Sequence, residues 1–109
     1  MESLRVDQLV AFVCAEPGAV LLDVREPWEL QTARIDLPAA TRLDIPMSLV
    51  PLRLNEISPT QSIVCICHHG ARSAQVVAFL QHRGYARVYN LAGGVDAWST
   101  QVDPAVPRY

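Results

Sequence analysis

The sequence predicts an α/β domain whose mainly parallel sheet is covered by helices on both faces. Three observations lead there. Ala19-Val20-Leu21-Leu22-Asp23-Val24 is a continuous apolar run that begins after a turn and ends in charge, as a central strand of a parallel sheet does. Ser62-Ile63-Val64-Cys65-Ile66-Cys67 is a second such run. Helical stretches alternate with these strands along the chain, the order that builds a parallel sheet with crossover helices. At 109 residues the chain fits one domain that buries roughly two thirds of its unfolded surface. Its expected extent is residues 1–103, with 104–109 as a loose tail.

In chain order, Leu4-Arg5-Val6 reads as a short first strand, and Asp7 as the N-cap of a helix from Gln8 to about Ala15. Pro17-Gly18 ends that helix. Cys14, among apolar neighbours, is expected to be a small buried residue. After the first central strand, Arg25-Glu26-Pro27-Trp28-Glu29 opens a short helix with Pro27 in its first turn. Residues 31–46 have weak periodicity, with a short strand expected at Thr41-Arg42-Leu43-Asp44-Ile45. Residues 46–57 read as a helix with Leu49, Leu52 and Ile57 inward and Pro51 in its first turn or at a bend. Ser58-Pro59-Thr60-Gln61 turns into the second central strand.

Beyond that strand a helix from Ser73 carries Val76, Val77 and Leu80 on one stripe, and Gly84 suits the left-handed position after its end. Ala86-Arg87-Val88-Tyr89-Asn90-Leu91 is the last strand. Ala92-Gly93-Gly94 is a tight turn, and Val95-Asp96-Ala97-Trp98 begins a final helix with Trp98 as a core anchor. Pro104 and Pro107 mark the tail as loose.

Composition excludes several classes of function. Half of the residues are apolar and the net charge is −2, with the nine basic residues, all arginine, spread along the chain. No basic run suggests nucleic acid as a partner. No apolar run approaches the roughly 18 residues that cross a bilayer, and the start of the chain lacks a signal-peptide pattern. Three cysteines, two of them only two positions apart on one strand, suit free thiols in a reducing compartment. The expected location is cytoplasmic, with no membrane partner.

The chemistry centres on Cys67-His68-His69-Gly70-Ala71-Arg72-Ser73. A cysteine at the end of a buried strand is followed by a short loop into a helix N-terminus, where unpaired N–H groups favour negative charge. A helix terminus alone supplies about 0.3–1 kcal/mol, or up to about 2 when partly buried. Several donors must therefore act together to favour a thiolate: loop N–H groups, the Arg72 guanidinium, the Ser73 hydroxyl and, when protonated, His68 or His69. Gly70 lets the chain curl around an anion. Cys65 faces the same side as Cys67 but deeper, and is assigned to packing, with resolution of an oxidised Cys67 as its alternative role.

Asp23, Arg25 and Glu29 follow the first central strand, at the sheet edge where ligands of such folds collect. They can serve the site from behind. The preferred assignment is structural: Arg25 and Glu29, four apart, suit an ion pair, and Asp23 can accept backbone N–H bonds. A metal held by Cys65, Cys67, His68 and His69 is disfavoured, because zinc ligands are normally spaced so that four converge. His82 is expected to be solvent-exposed.

The ordered set Leu22-Asp23-Val24-Arg25-Glu26-Pro27-Trp28-Glu29, Ile45-Pro46-Met47, Cys67-His68-His69-Gly70-Ala71-Arg72-Ser73 and Val88 to Trp98 resembles the rhodanese-like sulfurtransferases, in particular the short single-domain type. The resemblance implies a five-stranded, mostly parallel sheet with the active loop wrapped around the cysteine. It implies that Cys67 carries sulfane sulfur as a persulfide, with His68, His69, Gly70, Ala71, Arg72 and Ser73 binding the donor or the persulfide. It further implies a small anionic sulfur donor such as thiosulfate, cyanide or a thiol or protein sulfur acceptor, and no cofactor. One segment departs from the family pattern: a His-Ile-Pro-Gly-Ala-like stretch is here Ala33-Arg34-Ile35-Asp36-Leu37-Pro38-Ala39-Ala40, with Arg34 for the histidine and Ala39 for the glycine.

Two other functions compete. A cysteine-dependent phosphatase or arsenate reductase also cradles an oxyanion with cysteine and arginine, but with five residues between them; here there are four. A non-catalytic persulfide carrier or a redox-sensing, partner-binding module would keep the fold without turnover.

Overall fold

Apolar alternation on two central strands sorts the molecule into two cores. The computed structural model describes residues 2–109. Its strands are β1 (Ser3–Arg5), β2 (Val20–Asp23), β3 (Thr41–Asp44), β4 (Ile63–Ile66) and β5 (Val88–Ala92). They form one sheet in the order β1-β5-β4-β2-β3, with every neighbouring pair parallel. Val20, Leu22, Ile63, Cys65 and Val88 face one side, while Leu21, Val64, Ile66 and Leu91 face the other. Alternate residues of a strand point to opposite faces, and both faces are buried.

Helix α3 (Ala71–His82) covers the first face through Val76, Val77 and Leu80. Helices α1 (Leu9–Ala15) and α4 (Gly94–Gln101) cover the second, through Leu9, Val13, Val95 and Trp98. Helix α2 (Pro27–Thr32) begins with Pro27 in its first turn, and the Glu29 carboxylate accepts the Glu26 N–H at 3.0 Å. Because the strands are parallel, the ends of β2, β4 and β5 gather Asp23, Cys67 and the Gly93-Gly94 turn at one edge of the sheet. Among the described residues, no helix is long and apolar enough to cross a membrane.

Several local expectations are corrected. Asp7 does not cap the first helix. It pairs with Arg5 at 3.0 Å, and the Arg5 N–H donates to the Gln8 side chain, starting a short 3₁₀ turn that leads into α1. Cys14 is exposed, because Leu9 and Val13 define the buried stripe of α1 and the next residue lies about 100° round the helix.

Residues 47–56 form 3₁₀ rather than α-helical turns, with Pro51 inside and a break at Arg53. Three residues per turn bring Met47 and Val50 to the core, with Leu54 following beyond the break. Leu49 and Leu52, expected inward, are instead 38% and 78% exposed.

The segment 104–109, expected to be loose, packs back on the domain. Val106 and Tyr109 join the second core, the Ser99 hydroxyl donates to the Val106 carbonyl, and Arg108 pairs with Asp96 at 2.9 Å. Its prolines remove backbone donors, but its side chains supply the anchors.

Candidate active site

The buried end of β4 places Cys67 directly under the first turn of α3. The residue is 1% exposed. Its Sγ accepts the Gly70 N–H at 3.0 Å and lies 3.2 Å from the Ser73 hydroxyl. Gly70 has φ +107°, a left-handed value open to glycine, and that value turns its N–H inward. Helix α3 then directs the positive end of its dipole at the sulfur.

A second helix grips the other side of the loop. The N–H groups of Val95 and Asp96, in the first turn of α4, donate to the carbonyls of Cys67 and His68, each at 3.0 Å. A Cβ on Gly94 would lie 2.3 Å from the Cys67 carbonyl oxygen, so only glycine admits this approach. The loop backbone is thus fixed between two helix N-termini.

Asn90 completes the cradle. Its side chain donates to the Gly70 carbonyl at 3.2 Å and accepts the Ser73 hydroxyl at 2.5 Å. The single Ser73 proton therefore has the sulfur, the Gly70 carbonyl and Asn90 within reach. It can serve one acceptor at a time. Neither Asn90 nor Gly94 was singled out as a site residue from the sequence. The available signal was a lone amide inside an apolar strand.

Arg72, expected among the donors that favour the thiolate, gives its hydrogen bonds to another group instead. Its two terminal nitrogens bind the Glu29 carboxylate at 2.7 and 2.8 Å. Glu29 also accepts the Tyr109 hydroxyl at 2.7 Å. The Arg72 hydrogen bonds, reinforced by the Glu26 N–H and Tyr109, outweigh burial and hold the Glu29 carboxyl down at about 2. Arg72 is correspondingly raised, first by the Glu29 hydrogen bonds. Burial pushes the Tyr109 phenol up to about 12, so it remains a donor.

The expected Arg25–Glu29 ion pair is absent. Arg25, fully buried, binds Asp23 through two bonds of 2.8 Å and reaches only the backbone carbonyl of Glu29, at 3.3 Å. Asp23 accepts the Arg25 N–H at 3.3 Å and also Arg42 at 3.1 Å. Burial lowers the Arg25 pKa, but the Asp23 bonds more than offset it and the net shift is upward. Asp23, Arg25 and Glu29 therefore form a charged floor behind the loop, linked to it through Arg72 and Tyr109.

The two loop histidines differ. The His68 ring is stacked between Tyr109, with centroids 3.8 Å apart and planes at 8°, and His69, at 3.9 Å. Burial, then the neighbouring His69, pushes the His68 pKa below its ordinary value. Its Nε2 is buried without a partner among the described residues. His69 is exposed, with Nδ1 3.9 Å from Asp96. His68, His69 and Asp96 bring one potential metal-ligand atom each within 4.8 Å. The rings are stacked face to face, however, and Asp96 is engaged by Arg108, so the group works as a stacking and ion-pair cluster. Ala71, the first residue of α3, is exposed.

Cys65 is fully buried, and burial, then the charge of Cys67, pushes its thiol pKa upward. Both features suit packing. Arg34, at the departure from the family pattern, pairs with Asp36 on the surface at 3.0 Å. His82 is exposed.

Comparison with known proteins agrees with this architecture. A sulfurtransferase from Allochromatium vinosum is 42% identical over 87 residues, covering 80% of this chain and 78% of that one. The thiosulfate sulfurtransferase GlpE of Pseudomonas syringae is 32% identical over 99 residues, covering 91% and 90%. A rhodanese-related protein from Thermoplasma volcanium superimposes over the full length of both chains, with a TM-score of 0.80 at 28% identity. The model of the rhodanese-like domain matches residues 6–101, and with a cysteine loop held between two helix N-termini at the edge of a five-stranded parallel sheet, this chain belongs to the rhodanese-like sulfurtransferase family.

Proposed function

We propose that the protein transfers sulfane sulfur through a persulfide on Cys67, from a small anionic donor such as thiosulfate to cyanide or a thiol. The observation that carries this reading is the sulfur's surroundings: the Gly70 N–H at 3.0 Å and the Ser73 hydroxyl at 3.2 Å, at the N-terminus of α3. These groups favour negative charge both on the attacking thiolate and on the persulfide.

The Cys67 thiolate attacks the outer sulfur of thiosulfate. A Sγ–S bond forms, the donor S–S bond breaks, and sulfite departs with the electron pair. The outer sulfur of the persulfide anion is then taken by cyanide, releasing thiocyanate, or by a thiolate, which becomes a persulfide. Cys67 returns as thiolate, and no net oxidation occurs. His68, His69, Gly70, Ala71 and Ser73 shape the cradle, while Arg72, held by Glu29, fixes the start of α3. The free cysteines suit a reducing, cytoplasmic setting.

Incubation with thiosulfate and cyanide should yield thiocyanate, and donor alone should add the mass of one sulfur atom to Cys67. Cys67→Ser should abolish both. Survival of either in that variant would end the proposal. A carrier role shares the first half-reaction and hands sulfur to a protein acceptor. It is favoured by similarity to a putative sulfur carrier protein of Bacillus subtilis, 32% identical over 83 residues. Sulfur loading with a protein acceptor but no thiocyanate would select it.

A further inference from the structure

We propose that Tyr109 is a positioning residue for the Cys67 loop, holding its two ends through two different parts of one side chain. The inference rests on the sulfur-transfer reading for its kinetic consequence, but its geometry stands apart from it. The ring of Tyr109 lies flat against His68, the residue after the nucleophile, at 3.8 Å and 8°. The hydroxyl donates to Glu29 Oε2 at 2.7 Å and accepts from Arg25 Nη1 at 2.9 Å. Glu29 in turn holds both terminal nitrogens of Arg72, at the far end of the loop. One residue, 80 positions from Glu29 in sequence, therefore braces both ends of the loop that follows the sulfur.

The side chain is itself well fixed. Trp28 packs edge-on against the Tyr109 ring at 5.8 Å, and the segment is tied down by Arg108 on Asp96 and by the Val106 carbonyl on Ser99. A ring held in this way buries one face of His68, while His69 covers the other. With the neighbouring residue clamped, the Gly70 N–H stays directed at Sγ and the Ser73 hydroxyl stays within reach of it. Catalytic groups aligned in advance are worth large factors in rate, and small misplacements cost them.

The test compares Tyr109→Leu, which loses both ring and hydroxyl, with Tyr109→Phe, which keeps the stack and loses only the hydroxyl. Three quantities are read: kcat and KM for sulfur transfer, the rate of Cys67 alkylation by iodoacetamide, and the His68 titration midpoint by NMR. The groups facing His68 are His69, Asp96, Glu29 and Arg72, and both substitutions leave all four residues unaltered in the sequence. Tyr109→Leu should lower kcat by about tenfold or more with a smaller change in KM, and should raise the His68 midpoint toward its ordinary value as burial is relieved. Tyr109→Phe should keep the His68 midpoint and recover part of kcat. Should the Leu variant not fold, the Phe variant alone decides: its kcat must fall below the parent's while the His68 midpoint stays. A Leu variant with parental kcat, or an unmoved His68 midpoint, overturns the proposal. If the parent itself loads no sulfur, the functional reading fails, and the alkylation rate, expected to change in the Leu variant and to be partly restored in Phe, replaces kcat as the deciding measurement.

Discussion

Arg72 and Glu29 meet end-on, with two parallel hydrogen bonds of 2.7 and 2.8 Å joining the start of α3 to the middle of α2. The cation that follows the nucleophile is thereby committed to a carboxylate with 4% side-chain exposure. Bidentate geometry makes this one of the stronger ion pairs a protein forms. It joins two elements that also meet through Tyr109, so the loop's position depends on charge as well as on packing.

Removing the carboxylate charge tests that dependence. Glu29→Gln leaves an amide that cannot accept both guanidinium bonds, and it removes the counter-charge of a half-buried Arg72. A loss of roughly 2 kcal/mol of stability is expected, read as a lower urea midpoint with an unchanged slope. An unchanged midpoint would show that the pair contributes nothing net.

Acid should act on the same pair. The Glu29 carboxyl is held at about 2, against an ordinary 4.5. Its contribution is therefore complete above about 4.5, declines as pH falls, and is lost below about 2. The Tm gap between the parent and Glu29→Gln should be widest near neutral pH and close progressively between these values. His68, also shifted downward, has the same sign but a window that begins near its ordinary value of 6.5; Glu29 is one of the charges that act on it, so a change in the gap that begins near 6.5 belongs to His68 and one that begins near 4.5 to the Glu29 carboxyl. A gap that stays constant down to pH 2 would contradict the assignment.

Gly94→Ala should disable the loop. The added Cβ would sit 2.3 Å from the Cys67 carbonyl oxygen and 2.5 Å from that of His68, at a residue with φ +59°. Overpacking of this kind costs about 1–3 kcal/mol, and relief requires the loop to move off the N-terminus of α4. Thiocyanate formation should fall by more than the loss of stability accounts for, measured at a temperature where the variant is folded.

Asn90 offers a graded comparison. Asn90→Ala removes the donor to Gly70 and the acceptor for Ser73, at a cost of about 1–2 kcal/mol. Asn90→Asp keeps the acceptor, loses the donor and adds negative charge beside a sulfur that must itself become negative. Sulfur-transfer rates should rank parent, then Asn90→Ala, then Asn90→Asp. The reverse order of the two variants would mean that the Ser73 contact matters more than charge.

The sequence by itself determined what depends on neighbours along the chain. Apolar runs at 19–24 and 62–67 placed two central strands, the stripe Val76, Val77 and Leu80 placed α3, and the ordered motifs identified the family and the Cys67 loop. Alternation along a strand, the helical repeat and a nucleophile at a strand-to-helix loop all act over a few residues, so they are written locally. Only the tertiary structure decided which groups those elements bring together. Arg72 lies 43 residues from its partner Glu29, and Tyr109 lies 80 from the same carboxylate. Arg25 chose Asp23, two residues away, over the Glu29 carboxylate four residues on, because at the end of β2 its guanidinium meets Asp23 in bidentate geometry. Leu49 and Leu52 turned outward because prolines at 46 and 51 impose a tighter helix whose repeat an α-helical pattern misjudges. The segment 104–109 docked because its side chains fit a surface built by α4 and the loop, and that surface exists only once the sheet has assembled.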